Sequence, residues 1–374
     1  MIIRTREERP LDTTTLRELA GSGGPYASVY FEDSHDTEDA AKQLELKRRD
    51  IREQLAGKGA GDATVEAVDR AIRDGRPPIG RSGRAVLAAH GRVLLDEGLA
   101  EPPGAAEVRF SELPHLVPLL AHSAVGTPHL VVIADRAGAD ITSVDAKGRR
   151  QSVTRVDGED HPVHKVRGGA EAHRDIQARV EENVHRNLDQ VAERTAKLAA
   201  ESGAELIVLA GEVQARRELR ELLPKPAKEI ATEVTAGARA DSATEAQLDA
   251  AIGELLTGRR LARLDRVAER YRAELGRAPG LAVSGLEGVT TALREGNVET
   301  LLVTEPGDAT VAVGEEPAQV AVSTGELAAS GGGTGTERRA DEALPVAALS
   351  VGAGIVVFDE RLDLAEGFGA ILRH

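Results

Sequence analysis

The stretch HLVVIADRAGADITSVDAKG, residues 129–148, sets the architecture of the chain. Two β-branched and aliphatic runs flank a polar turn around Arg136 to Ala139, the pattern of a β-hairpin. A third extended segment, RQSVTRV at 150–156, adds to it. A polar loop from Asp157 to Gly169 then leads into a long helix predicted from about Ala170 to Ser202. Its apolar positions Ile176, Val180, Val184, Leu188, Val191 and Leu198 recur at three- and four-residue spacings, so one face packs inward while Gln177, Glu181, His185 and Arg186 lie elsewhere. Gly203 stops the helix. ELIVLAG at 205–211 has the continuous apolar character of a buried parallel strand. A short helix, a turn at Pro224 and Pro226, a strand at Ile230 to Val234 and another helix follow. The alternation is that of an α/β layer structure.

Upstream, a polar start at Thr13 to Thr15 and a GSGG turn precede a strand, PYASVYF at 25–31, whose Tyr26, Tyr30 and Phe31 are expected in the core. A helix from near Thr37 to Gly57 and a second to Ile72 follow. After a Gly/Pro break comes the strand RAVLAAH at 84–90; Pro102, Pro103, Pro114 and Pro118 then mark an irregular exit. Downstream, a third α/β segment begins near Arg259. Its helix carries Leu261, Leu264, Val267, Ala268 and Tyr271, and GLEGVTTALREGNVETLLV at 285–303 reads as a helix and a strand. The Gly-rich SGGGTGTE at 330–337 reads as a linker or disordered tip, and a last helix and the strand GIVVFD complete the segment. These breaks divide the 374 residues into segments 1–126, 127–258 and 259–374, as a prior of about 150 residues per domain allows.

Composition narrows the function. With 47 basic residues against 62 acidic ones the formal charge is −15, which excludes a protein that coats nucleic acid through a global positive field. Aromatics at 2% argue against base-stacking platforms. The absence of cysteine excludes disulfides, thiolate metal sites and cysteine nucleophiles. MIIRTREERP lacks the apolar core of a secretory signal and no run approaches about 18 apolar residues, so a cytoplasmic protein with no membrane span is expected.

The segment least like scaffold is HPVHKVRGGAEAHR at 161–174. From Lys147 to Arg174 there are seven basic and four acidic residues, a local +3 in a chain of −15. Gly168 and Gly169 stand before a helix start. The loop is either a solvated glycine hinge or a tip that contacts phosphates through its basic side chains and the helix N-terminus. His161 and His164 have H-x-x-H spacing, a bare metal pattern with neither cysteine nor a helical HExxH partner, and no metal or cofactor is assigned from it. Asp135 and Asp140 flank the hairpin turn; they suit turn capping better than a metal-dependent nuclease. Asp33, His35 and Asp36 lack a serine or cysteine partner and read as strand-exit and capping residues.

VRGGAEAHRDIQARVEENVHRNLDQVAE at 166–193 resembles the central domain of the archaeo-eukaryotic peptide chain release factor and Pelota family, in which a Gly-Gly-Gln tip precedes a long charged helix. KLAAESGAELIVLAG fits the next elements, 285–303 resembles the opening of the third domain, and PYASVYFEDSHDT resembles the bacterial branch that includes the Balon-type ribosome hibernation factors. The resemblance implies an α/β chain of three domains in the release-factor layout: a decoding-side domain, a central mixed sheet of RNase H-like type bearing the tip loop 157–170, and a C-terminal α/β sandwich on the GTPase side. Ala170 stands where the catalytic glutamine of release factors would be. The Asn-Ile-Lys-Ser codon-reading motif is absent, the asparagines being Asn183, Asn187 and Asn297. The resemblance therefore implies a factor that occupies the A site of the 70S ribosome without peptide release, rather than an enzyme. His164, Lys165, Arg167, Gly168, Gly169, Ala170, His173 and Arg174 would face rRNA near the peptidyl-transferase centre, and a translational GTPase, elongation factor Tu, would meet the third domain. Pelota-like rescue and residual peptidyl-tRNA hydrolysis or nuclease action are the alternatives.

Overall fold

The structure is a computed structural model that describes residues 13–34, 40–75, 82–99, 102–122, 127–145, 150–157, 170–235, 242–359 and 361–374. For residues 13, 40–41, 170–180 and 242–245 it describes the backbone alone. The chain divides into two compact units, one formed by Met1–Ser123 together with Arg263–His374, the other by Ala124–Ala262. The first and third segments read from the sequence thus share a unit, and the second is inserted between them in the chain.

The N-terminal part of the first unit runs α1 (Thr13–Ala20), β1 (Tyr26–Glu32), α2 (Ala40–Gly57), α3 (Asp62–Asp74), β2 (Gly83–Ala89), β3 (Arg92–Leu99), β4 (Glu107–Ser111) and α4 (Val117–His122). Its sheet, in the order β3-β2-β1-β4, is antiparallel throughout. Side chains alternate across β1: Ala27, Val29 and Phe31 pack on α2 and α3, whereas Tyr26 and Tyr30 pack on Leu16, Leu19, Leu116 and Leu119. All three aromatics are in the core, as expected. Two features differ from the sequence reading. The Thr-rich start is a helix, because Leu16 and Leu19 lie one turn apart and are both buried. The stretch read as an irregular exit holds β3 and β4, whose edge positions carry mixed polar side chains and whose flanking prolines bracket β4 without entering it.

The inserted unit contains β5 (His129–Asp135), β6 (Gly138–Val144), β7 (Arg150–Asp157), α5 (Ala170–Ser202), β8 (Leu206–Gly211), α6 (Val213–Leu222), α7 (Lys225–Glu229), β9 (Ala231–Glu233) and the first part of α8 (Ser242–Leu275). The sheet order β7-β6-β5-β8-β9 joins an antiparallel hairpin pair to three parallel strands, a mixed sheet. One face is covered by α5 and α6 through Leu188, Val191, Ala192, Ala215 and Leu219. The other is covered by Leu248 and Ile252 of α8 against Val131, Leu206 and Val208. Helices on both faces explain why β5 and β8 are apolar nearly throughout. The helix expected to open near Arg259 is not a separate element: α8 runs unbroken through Gly253 and Gly258, with 34 residues.

After α8 the first unit resumes with β10 (Ala282–Ser284), α9 (Gly285–Arg294), β11 (Val298–Val303), β12 (Thr310–Val313), β13 (Val320–Ala321), α10 (Thr324–Ala329), β14 (Thr336–Arg339), α11 (Ala340–Ser350), β15 (Gly354–Val357) and β16 (Phe368–Leu372). Two sheets form, β10-β16-β11-β15 and β13-β12-β14. Nearly all of α11 is buried: Ala343, Leu344 and Ala347 enter the core with Val289, Leu301 and Phe368, while Val346 and Leu349 pack with Leu16, Leu19, Leu116 and Leu119. Its apolar residues from Ala343 to Leu349 go all round the helix, the pattern of one enclosed on all sides. The Gly-rich segment is not a disordered tip. Gly332 and Gly335 lie so close to buried Leu327 that an added Cβ would stand 2.5 and 2.3 Å from its methyl groups, and the chain continues directly into β14. Its glycines serve close packing.

Candidate functional site

The loop expected to contact RNA joins the end of β7 to the start of α5. His164, Lys165, Arg167, Gly168 and Gly169 lie outside the described residues, as do the side chains of Ala170, His173 and Arg174. The described ends of the loop are Asp157, whose register partner is Gly138 in the hairpin turn, and Ala170, the first residue of α5. That helix has 33 residues, about 50 Å at 1.5 Å per residue, and its described core contacts fall between Val184 and Ala199. The loop therefore joins a packed sheet to a long helix whose described core contacts lie at Val184 and beyond.

Around this end of the sheet the charged side chains are paired. Asp135 Oδ1 accepts the Ala137 and Gly138 backbone N–H groups at 2.7 and 2.9 Å, the expected turn cap. Arg155 donates to Asp140 at 3.0 Å, a bond that raises the guanidinium pKa further, and lies 4.0 Å from Asp157. Arg136 reaches Glu212 at 3.1 Å and Gln214 at 2.6 Å. Glu233 receives Arg216 at 3.2 Å and Arg220 at 3.4 Å. On the helix, His185 meets Glu218 at 2.7 Å. Asp135 and Asp140 are thus committed to a turn and to an ion pair. Arg155, counted in the local +3, is matched by Asp140 and Asp157.

A shallow cleft at the other end of the β6–β7 pair is lined by Ser143, Asp145, Gln151, Leu198 and Glu201 among others. Among the described residues its lining holds two carboxylates, Asp145 and Glu201, and no basic side chain.

Of the remaining candidates, Asp33 is buried 3.6 Å from Arg84, which also grips Asp96 at 2.8 and 2.9 Å; it is an ion-pair partner inside the N-terminal fold. His35 and Asp36 lie outside the described residues. One cluster went unread in the sequence. His115, Asp341 and Glu342 are all buried and bring one nitrogen and two carboxylate oxygens within 4.8 Å of one another. Arg109 supplies the cation, reaching Asp341 at 2.9 Å and Glu342 at 3.4 Å. Arg339 forks onto Asp341 at 2.9 and 3.0 Å, and His115 Nε2 lies 3.1 Å from Glu107. Tyr30 donates its hydroxyl to the His115 carbonyl and sets its ring edge-on to the imidazole. Arg109 and Arg339 compensate the two buried carboxylates, which makes the cluster an ion network. Its two halves, 107–115 and 339–342, are more than 200 positions apart in sequence, which no spacing rule detects.

A model of the bacterial archaeo-eukaryotic release factor family 2 matches residues 128–277, the inserted unit and the whole of α8. Two curated relatives from Mycobacterium tuberculosis strains, the uncharacterized proteins Rv2629 and MT2704, are each 38% identical over 360 residues and cover 96% of both chains. Among solved structures, the archaeal termination factor aRF1 is 18% identical with a TM-score of 0.28 and 96% of each chain covered. Archaeal Pelota, in a model of its ribosome-bound form with ABCE1, is 15% identical with a TM-score of 0.43, covering 97% of this chain and 93% of that one. With the matched family model, and relatives of such identity along nearly the full length, the chain belongs to the bacterial archaeo-eukaryotic release factor family.

Proposed function

We propose that this protein binds the 70S ribosome in the A site, with the 157–170 loop directed at the peptidyl-transferase centre, and silences idle ribosomes without releasing peptide. The observation that carries the reading is the start of α5: Ala170, directly after Gly168–Gly169, opens a helix of 33 residues rooted in a packed sheet. Such a stalk suits a tip that must reach a distant site. A methyl group at its head offers no side-chain amide to place a hydrolytic water. Release chemistry is therefore not proposed, and the paired states of Asp135 and Asp140 leave those two carboxylates no part in a nuclease. Lys165 and Arg167 would bind rRNA phosphates, a shape- and charge-directed contact that an acidic body tolerates because the touching surface is local. The third segment, 259–374, would meet a translational GTPase, elongation factor Tu in a bacterium.

The test is cryo-electron microscopy of ribosomes from stationary or stressed cells, with co-sedimentation on vacant 70S particles. Density in the A site with the tip at the peptidyl-transferase centre is expected. Absence from the ribosome, or a position outside the A site, overturns the proposal. Recruitment of subunit-splitting factors instead of persistent 70S occupancy would convert the reading into one of ribosome rescue.

A further inference from the structure

Residues 259–272 of α8 carry six arginines (Arg259, Arg260, Arg263, Arg266, Arg270 and Arg272) against Asp265 and Glu269, a local +4 in a chain of −15. At 3.6 residues per turn, Arg263, Arg266 and Arg270 fall within about 60° of one another, and their stripe lies about 120° round the helix from Leu264, Ala268 and Tyr271, which face the core. Most of these arginines have partners. Arg259 donates to the Glu205 carbonyl, Arg270 forks onto Glu299 with two bonds of 2.6 Å, and Arg272 donates to the Arg361 carbonyl. Asp265 is taken by Arg361 at 3.4 Å. Arg263 and Arg266 are exposed and have no ion pair or hydrogen bond among the described residues.

A different arginine-rich surface shows what a structural role looks like in this protein. Arg48, Arg52 and Arg73 of α2 and α3 converge on Asp69 at 3.1, 3.4 and 3.5 Å, so their charge is spent within the fold. Arg263 and Arg266 stand one turn apart, about 4.5 Å along the axis, with their donors unspent. Protein partners are held mainly by aromatic and arginine anchors desolvated within well-packed, largely apolar surroundings. On α8 the one exposed large hydrophobic residue among those described is Leu275, about two turns beyond Arg266, and a chain with 2% aromatics has little to stack on bases. Planar guanidinium forks without an apolar anchor fit backbone phosphates.

We propose that Arg263 and Arg266 form a second polyanion contact, one that binds the phosphate backbone of double-stranded RNA without regard to sequence. It is separate from the glycine tip and does not rest on the A-site placement. The test is fluorescence anisotropy of the full-length protein with a labelled 20-base-pair RNA hairpin across a salt series. Arg263→Glu with Arg266→Glu is expected to weaken binding at least about tenfold and to lower the slope of log K against log salt by about two, while Arg263→Lys with Arg266→Lys keeps the slope. Should the reversal variant fail to melt like the wild type by circular dichroism, Arg263→Gln with Arg266→Gln replaces it, with the same loss of slope expected. Unchanged affinity and slope in the charge-removing variants overturn the proposal, as does competition by polyglutamate equal to that by unlabelled hairpin. Loss of hairpin affinity in a protein that A-site tRNA does not displace from ribosomes would support this contact and refute the A-site reading alone.

Discussion

Removing the Arg109 guanidinium would leave Glu342, 3% exposed, without its cation, while Asp341 keeps Arg339. A buried charge stripped of its partner costs about 3–5 kcal/mol. Arg109→Met is therefore expected to lower stability by about 3 kcal/mol, read from the urea midpoint. The same residues set a pH dependence. Burial pushes the Glu107 carboxyl up, but the His115 hydrogen bond and Arg109 outweigh it and hold it below its ordinary value of 4.5. Burial likewise raises Asp341, and Arg339, His115 and Arg109 bring it below 3.8. Carboxyls depressed in the fold add stability that is complete above their unfolded values and lost as pH falls through the folded ones. Denaturation should therefore deepen below about pH 4.5 in the wild type and less steeply in Arg109→Met. None of this is legible along the chain, because Arg109 and Asp341 meet only after folding. Asp135 was legible, since a turn cap is a local device.

Among the elements, those defined by their own local pattern were read well: the hairpin β5–β6 and β7 from apolar runs around a polar turn, α5 from three-to-four-residue apolar spacing, and β8 from a continuous apolar run. The elements missed in the sequence owe their form to neighbours. β3 has half-exposed residues and is held by its pairing to β2, and β16 lies between β10 and β11, with Phe368 and Ala370 in the core that α9 and α11 cover. The Gly-rich loop was misread because composition does not reveal whether a glycine frees the chain or lets it approach another. Two substitutions separate those uses. Gly211 ends β8 at φ 100°, and an added Cβ would stand 2.1 Å from the Ala134 carbonyl oxygen, so Gly211→Ala is expected to cost at least about 2 kcal/mol. Gly253, inside α8, has nothing within 4 Å of an added Cβ, so Gly253→Ala should gain about 0.5–1 kcal/mol. Thermal melting of the pair checks both signs.

For the molecule as a whole, the reading of a silent tip makes a claim about gain of function. If the loop lies at the peptidyl-transferase centre, Ala170→Gln restores the missing amide and is expected to raise peptide release from peptidyl-tRNA-loaded ribosomes by at least about tenfold, one polar contact's share of a barrier. Release unchanged in a variant that still co-sediments with ribosomes would argue that the tip is elsewhere. The unit built from both ends of the chain has a further consequence, for synthesis. Val346 and Leu349 complete the core around Leu16, Leu19, Leu116 and Leu119, so that core stays open to solvent until nearly the whole chain has been translated. The inserted unit holds its partners within one continuous stretch and can close earlier, so a nascent chain should gain protease resistance from its middle outwards, its first hundred residues protected last.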